Sequence, residues 1–224
     1  MHYILTDIEG TSTSIAFVYD TLFPYFKQHI THFLRESDTS EIEPFLKSVQ
    51  ETVLEETGKA LKPDELAQQL IHWTDADRKH PALKAIQGIV WRVAYQKGEI
   101  KGHVYPDVPL ALERWKNAGI GLGVYSSGSV EAQRLLFGFS DFGDLTPYFS
   151  HYFDTQVGPK REASSYAAIA GNLNIEPDNI LFLSDIEAEL DAAAFAGMQT
   201  TQILRPGTKP GTRHPTELNF STIF

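Results

Sequence analysis

The chain has 224 residues, 42% of them apolar, enough for one large domain or for a core with an inserted second unit. Its 29 Asp and Glu outnumber 19 Lys and Arg, for a formal net charge of -10, and no local basic patch offsets this, so nucleic acid and anionic membranes are excluded as expected partners. With no cysteine there is no disulfide, thiolate zinc site or thiol nucleophile, and any metal ligand must be oxygen or imidazole. No basic stretch leads into a long apolar core at the N-terminus, and no apolar run approaches membrane-span length, so a cytoplasmic enzyme is expected.

The first element is a short buried strand, Tyr3 to Leu5, which runs into Asp7-Ile8-Glu9-Gly10-Thr11. Positions two apart on a strand share a face, so Asp7 and Glu9 can leave its carboxyl end toward one pocket. Burying two like charges together is costly without a cation. From residue 15 to residue 102 the apolar positions recur at helical spacing and no convincing strand is found. Phe17, Leu22, Phe26, Ile30, Phe33 and Leu34 form one expected stripe, in which Pro24 must begin a helix or kink one. Further helices are predicted over 44–56, 63–73 and 83–96. Several helices inserted after the first strand of a parallel sheet imply a cap folded as a small bundle. Aromatics such as Phe17, Phe23, Trp73 and Trp91 are read as its core rather than as the lining of a pocket. His29 and His32 stand one turn apart with nothing nearby to complete a metal set, and are read as surface.

Pro106, before a helix over 110–117, marks the return to the core. The Gly119-Ile120-Gly121-Leu122-Gly123 run precedes its strand, so it does not fit a dinucleotide loop. The second strand, Ile120 to Tyr125, ends in Ser126-Ser127-Gly128-Ser129, whose hydroxyls and amides suit an oxyanion, with Ser129 also placed to cap a helix. Gly158-Pro159-Lys160 forms a loop before a helix over 164–172. The third strand, Ile180 to Leu183, ends in Ser184-Asp185; beside the first strand and parallel to it, Asp185 would arrive near Asp7 and make an oxygen-rich magnesium site. An Ala-rich helix with Gly197 at its end and a strand over 200–204 follow. Alternation of strands and helices implies an α/β fold with a parallel sheet.

An acid pair, a serine, a lysine and a later acid, each after a strand and in this order, resemble the haloacid dehalogenase superfamily. Asp7-Ile8-Glu9-Gly10-Thr11, Phe17-Val18, Leu22-Phe23-Pro24-Tyr25, Gln87-Gly88-Ile89-Val90-Trp91-Arg92, Tyr105-Pro106-Asp107-Val108, the stretch 125–138 and Phe153-Asp154-Thr155 narrow it. They resemble the enolase-phosphatase family of methionine salvage, with Glu9 in place of the superfamily's commoner second aspartate. The resemblance implies a Rossmann-like core over 1–14 and 104–224, with a helical cap over 15–103. It also implies a monomer acting on a small phosphorylated diketone, 2,3-diketo-5-methylthiopentyl-1-phosphate, which is enolised and dephosphorylated to 1,2-dihydroxy-3-keto-5-methylthiopentene.

The roles implied are Asp7 as nucleophile, Glu9 as acid and base, and Lys160, Ser126 and Ser127 on the phosphate. Asp7 and Asp185 are the expected Mg2+ ligands by side chain and Glu9 by its main-chain carbonyl, while Glu189, one turn past Asp185, is read as an outer partner of those ligands or as an acid on a helix face, the second being preferred. Two other readings remain: a general small-metabolite phosphatase of the superfamily, and a non-catalytic binding module that keeps the pocket.

Overall fold

The computed structural model describes residues 2–36 and 40–223. In chain order the elements are strand β1 (Tyr3–Thr6), a short helix α1 (Ile15–Phe17) continued by a π-helical turn (Val18–Leu22), and helices α2 (Phe23–Glu36), α3 (Glu43–Thr57), α4 (Leu66–Asp75) and α5 (Pro81–Gln96). Then come α6 (Asp107–Asn117), β2 (Gly121–Tyr125), α7 (Val130–Gly138), β3 (His151–Phe153), α8 (Ala163–Leu173), β4 (Ile180–Ser184), α9 (Glu187–Phe195), β5 (Gln199–Ile203) and β6 (Thr216–Glu217). The chain divides into two compact units, residues 1–15 with 101–224, and residues 16–100.

In the first unit all six strands are parallel, in the order β3-β2-β1-β4-β5-β6. Every residue of β1 and β4 is buried, which is why these segments are short unbroken apolar runs rather than alternating ones. Thr6 pairs with Val124 on one side and with Leu183 on the other, so the residues that follow these three strands leave the same edge of the sheet. Successive strands lie on opposite sides of β1, and the carboxyl ends of β1 and β4 flank that switch in strand order, where α/β sheets open a crevice.

The glycines of β2 have a packing reason rather than a cofactor one. Tyr3 lies across β2, its hydroxyl 3.0 Å from both Ser150 Oγ and His151 Nδ1. A Cβ on Gly123 would stand 2.5 Å from the Tyr3 hydroxyl, and one on Gly121 would collide with the ring. Behind the sheet Leu5, Tyr125, Tyr166, Ile169, Phe182 and Leu190 form the core.

The helical unit buries Phe26, Ile30, Val49, Leu70, Ile86 and Ala94. Phe17, Trp73 and Trp91 are buried as well, while Phe23 is only partly so, and the expected stripe ends at Ile30 because Phe33 and Leu34 are half-exposed. Pro24 is the second residue of α2, where a missing N–H costs little, and the π-helical turn precedes it. Trp91 Nε1 donates to the Leu22 carbonyl in that turn at 3.0 Å. His29 stacks on Tyr25, and His32 pairs with Glu36 on the same helix. No helix among the described residues is long and apolar enough to cross a membrane.

Gly123→Ala is expected to destabilise the protein by about 1–3 kcal/mol, the usual cost of overpacking a core. Denaturant unfolding of Gly123→Ala, Tyr3→Val and the double variant checks this: the penalty of the alanine shrinks once the tyrosine is gone, and equal penalties in both backgrounds would contradict the contact.

Candidate active site

Asp7 is the first residue beyond β1, and its N–H still donates to the Leu183 carbonyl at 2.8 Å, so the sheet itself fixes the backbone there. Its carboxylate is buried: Oδ1 accepts from the Ile8 N–H at 2.8 Å and lies 2.6 Å from Lys160 Nζ, and Oδ2 is 3.4 Å from the Ser184 hydroxyl. The chain then turns back. The N–H groups of Thr11, Ser12 and Thr13 all point at the Ile8 carbonyl, and the Ser12 hydroxyl donates to the Asp7 carbonyl at 3.1 Å.

This turn carries the contact to the next strand. The Asp185 N–H donates to Thr11 Oγ1 at 2.9 Å, and the same hydroxyl donates to Asp185 Oδ1 at 3.3 Å. Gly10, at φ +79°, brings its main chain so near Asp185 that any Cβ would overlap the carboxylate. Burial, with Asp7 adding to it, pushes the Asp185 carboxyl up to about 6.

Lys160 reaches the same place from the loop after β3. Three hydroxyls hold three successive carbonyls of that loop: Tyr125 takes Gly158 at 2.8 Å, Ser165 takes Pro159 at 2.8 Å and Tyr166 takes Lys160 at 2.7 Å. Only 9% of the lysine is exposed, and its ammonium lies 2.6 Å from Asp7 Oδ1 and 2.7 Å from Glu189 Oε2. Burial alone would lower its pKa, but the two carboxylates raise it well above the ordinary lysine value.

Of the two readings of Glu189, the preferred one is overturned. Rather than a solvated acid on a helix face, Glu189 is buried on α9, where Oε2 accepts from the Ser184 hydroxyl at 3.0 Å as well as from Lys160. Burial and then Asp7 push its carboxyl up to about 7 against the pull of Lys160.

On the other side of Asp7, Glu9 Oε2 accepts from the buried Ser126 hydroxyl at 3.0 Å, and Ser126 Oγ accepts from the Gly128 N–H at 3.1 Å. Burial first, then Asp7, raises the Glu9 pKa, while Lys160 and Ser126 oppose the shift. Ser127 lies exposed at the bend beyond Ser126. Ser129 caps α7, accepting from the Ala132 N–H at 3.2 Å. Gln133 ties the serine loop to β3, donating at 2.9 Å to both the Gly128 and Phe153 carbonyls.

The structure thus gathers Asp7, Glu9, Ser126, Lys160 and Asp185 at one edge of the sheet. To these it adds Glu189, and also Thr11, Tyr125, Ser165 and Tyr166, whose roles sequence reasoning missed. The tyrosines look like core aromatics along the chain, and only their hydroxyls carry the loop. Buried Asp7 and partly buried Asp185 on neighbouring strand ends, the second with its pKa raised by burial and then by the first, suit a hard cation that takes oxygen ligands. Among the described residues no group of three or more His, Asp or Glu side chains is arranged to hold a metal, so Asp7 and Asp185 would need main-chain or non-protein oxygens to complete a shell.

The haloacid dehalogenase-like hydrolase family model matches residues 1–197. Enolase-phosphatase E1 of a Picosynechococcus species is 49% identical over 223 residues, 100% of this chain and 98% of that protein. Enolase-phosphatase E1 of Klebsiella oxytoca is 50% identical, covering 98% and 95% of the two chains. Among solved structures, the UTR4 protein of Saccharomyces cerevisiae superposes with a TM-score of 0.84 at 35% identity, over 98% of each chain. The L-2-haloacid dehalogenase RSc1362, at 16% identity and a TM-score of 0.59, shares the fold. Full-length identity near one half with these relatives, on a parallel sheet that brings the two acids together, makes this chain a member of the enolase-phosphatase E1 family within the haloacid dehalogenase-like hydrolases.

Proposed function

We propose that this enzyme converts 2,3-diketo-5-methylthiopentyl-1-phosphate to 1,2-dihydroxy-3-keto-5-methylthiopentene and phosphate by enolisation followed by hydrolysis. The observation that carries the reading is the Asp7 carboxylate: one oxygen is neutralised by Lys160, and Glu9, bonded to Ser126, stands two residues away. The family resemblance supplies the substrate, and the net charge of -10 supports a small diffusible ester rather than a polyanion as ligand. The reading also takes the protein as a cytoplasmic monomer, and residues 15–103 as the inserted cap.

Asp7 attacks phosphorus, the bond from phosphorus to the substrate oxygen breaks, and an aspartyl-phosphate forms. Glu9 donates its proton to the departing oxygen. Its raised pKa favours the protonated form that this step needs. Water then attacks the phosphorus, Glu9 takes the water proton, and the bond from phosphorus to Asp7 breaks. Lys160, Ser126, Ser127 and the loop amides meet the charge on the phosphoryl oxygens. For the preceding enolisation Glu9 is the economical base, being the nearest acid to Asp7 along the chain, and its side chain is one methylene longer than the superfamily's usual aspartate. Asp7 and Asp185, with the Glu9 carbonyl, would hold Mg2+, which when bound supplies charge neutralisation for an anionic nucleophile and an anionic ester.

With Mg2+ present, phosphate release from the diketo phosphate is expected to be robust and that from simple phosphate esters slow, and chelation should abolish both. Asp7→Asn should lose at least about 10^4-fold in turnover, the scale of removing a nucleophile. Glu9→Gln should lose about 10^2–10^4-fold in phosphate release. Enol absorbance followed separately from phosphate tests Glu9 as the carbon base, and undiminished enol formation in both Glu9→Gln and Glu9→Asp would exclude it. Glu189→Gln removes one charge-assisted contact worth about 1.5–3 kcal/mol. If that loss falls on the transition state, turnover drops about 10- to 100-fold.

A further inference from the structure

Arg205, just beyond β5, is 6% exposed and belongs to none of the roles above. Nη1 and Nη2 donate to Asp107 Oδ1 and Oδ2 at 2.8 and 2.9 Å, so the planar fork is fixed on a carboxylate at the start of α6. The guanidinium lies 4.1 Å from the centroid of the Tyr105 ring and 5.3 Å from that of Phe220. Asp107 is itself pinned by the Phe220 N–H, at 2.8 Å.

An ion pair this buried adds little to stability over well-packed apolar residues, so its third bond is the informative one. Nε donates at 2.8 Å to the carbonyl of Thr11. Thr11 is wholly buried, and its hydroxyl on the far side accepts the Asp185 N–H and donates to the Asp185 carboxylate. A continuous path of short polar contacts therefore runs from Asp107 through Arg205 and Thr11 to Asp185. The same stretch of chain grips Asp185 a second time, through Gln202 Nε2 on its carbonyl at 2.9 Å.

We propose that Arg205, locked by Asp107, is a positioning residue for the cation site: it fastens the Gly10-Thr11 turn from behind so that the Thr11 hydroxyl aims the Asp185 carboxylate. This rests on the reading of Asp185 as a cation ligand. Lysine keeps the charge at this position but has no planar fork, so it cannot hold both Asp107 oxygens and the Thr11 carbonyl in one geometry.

The test measures binding of Mn2+ to the full chain without substrate, by electron paramagnetic resonance of the free ion, with Mg2+ calorimetry beside it. Outer partners of metal ligands are typically worth 10- to 100-fold in affinity. Arg205→Lys and Thr11→Val should weaken Mn2+ binding by that factor, and Thr11→Ser, which keeps the hydroxyl, should restore most of it. Arg114→Gln is the structural control. Arg114 bonds the Phe220 and Ile223 carbonyls, so its loss should lower Tm and leave Mn2+ affinity unchanged. Should Arg205→Lys not fold, Asp107→Asn takes its place, with weakened binding expected and wild-type binding overturning the proposal. Folded Arg205→Lys and Thr11→Val with wild-type affinity, beside an Asp185→Asn that loses the ion, would overturn the role of Arg205 and leave the cation site standing. An Asp185→Asn that binds Mn2+ as tightly as wild type would overturn the site and the proposal with it.

Discussion

A buried ammonium set among acids is the constraint on which the rest depends. Asp7, Asp185, Glu9 and Glu189 crowd one edge of a sheet, where burial and then the charge of Asp7 raise the pKa of the other three and positive charge opposes the rise. Lys160 is that charge. It touches Asp7 and Glu189 at once, and a lysine so deeply buried keeps its proton only because both carboxylates are there. Its placement in turn needs the three hydroxyls of Tyr125, Ser165 and Tyr166 on successive carbonyls of its loop. Core residues of β2 and α8 thereby do two jobs, filling the space behind the sheet with their rings and fixing the loop with their polar ends.

The parallel register does the corresponding work for the acids. Because Thr6 faces Val124 on one side and Leu183 on the other, residues 119 and 178 positions apart along the chain finish at the same edge as Asp7: Ser126 from β2 and Asp185 from β4. The close approach of Tyr3 to Gly121 and Gly123 belongs to this register, and the Gly10-Thr11 turn closes the remaining gap to Asp185. Rigid strands thus carry the acids, and short turns with full hydrogen bonding carry the partners that aim them.

Much of this was legible along the chain, for identifiable reasons. The strands β1, β2 and β4 are fully or largely buried, so burial wrote them as mainly apolar runs, while β5 is polar in sequence yet, like α8, stands within one residue of its expected limits. The edge strands β3 and β6 went unnoticed because three and two residues, partly exposed, leave no pattern to read. Helix α9 begins at Glu187, earlier than its alanines suggested, since its first turn is acidic and resembles a loop. Glu189 stays between two readings along the chain because an acid one turn past another acid looks the same whether it faces water or a buried lysine, and only the fold distinguishes the two. Arg205 was invisible for a related reason: its partners Asp107 and Thr11 are 98 and 194 residues away. Local patterns record which way a residue faces, and long-range polar pairs leave no such trace.

The central claim, that this geometry makes Asp7 the group that carries the phosphoryl transiently, is tested most directly by trapping that species. The enzyme with Mg2+ and the diketo phosphate would be quenched within one turnover, reduced with borohydride and mapped by peptide mass spectrometry. The account predicts the reduced aspartyl derivative on the peptide holding Asp7 and on no other. Full single-turnover phosphate release with no derivative at Asp7, or with one at another carboxylate, would contradict it.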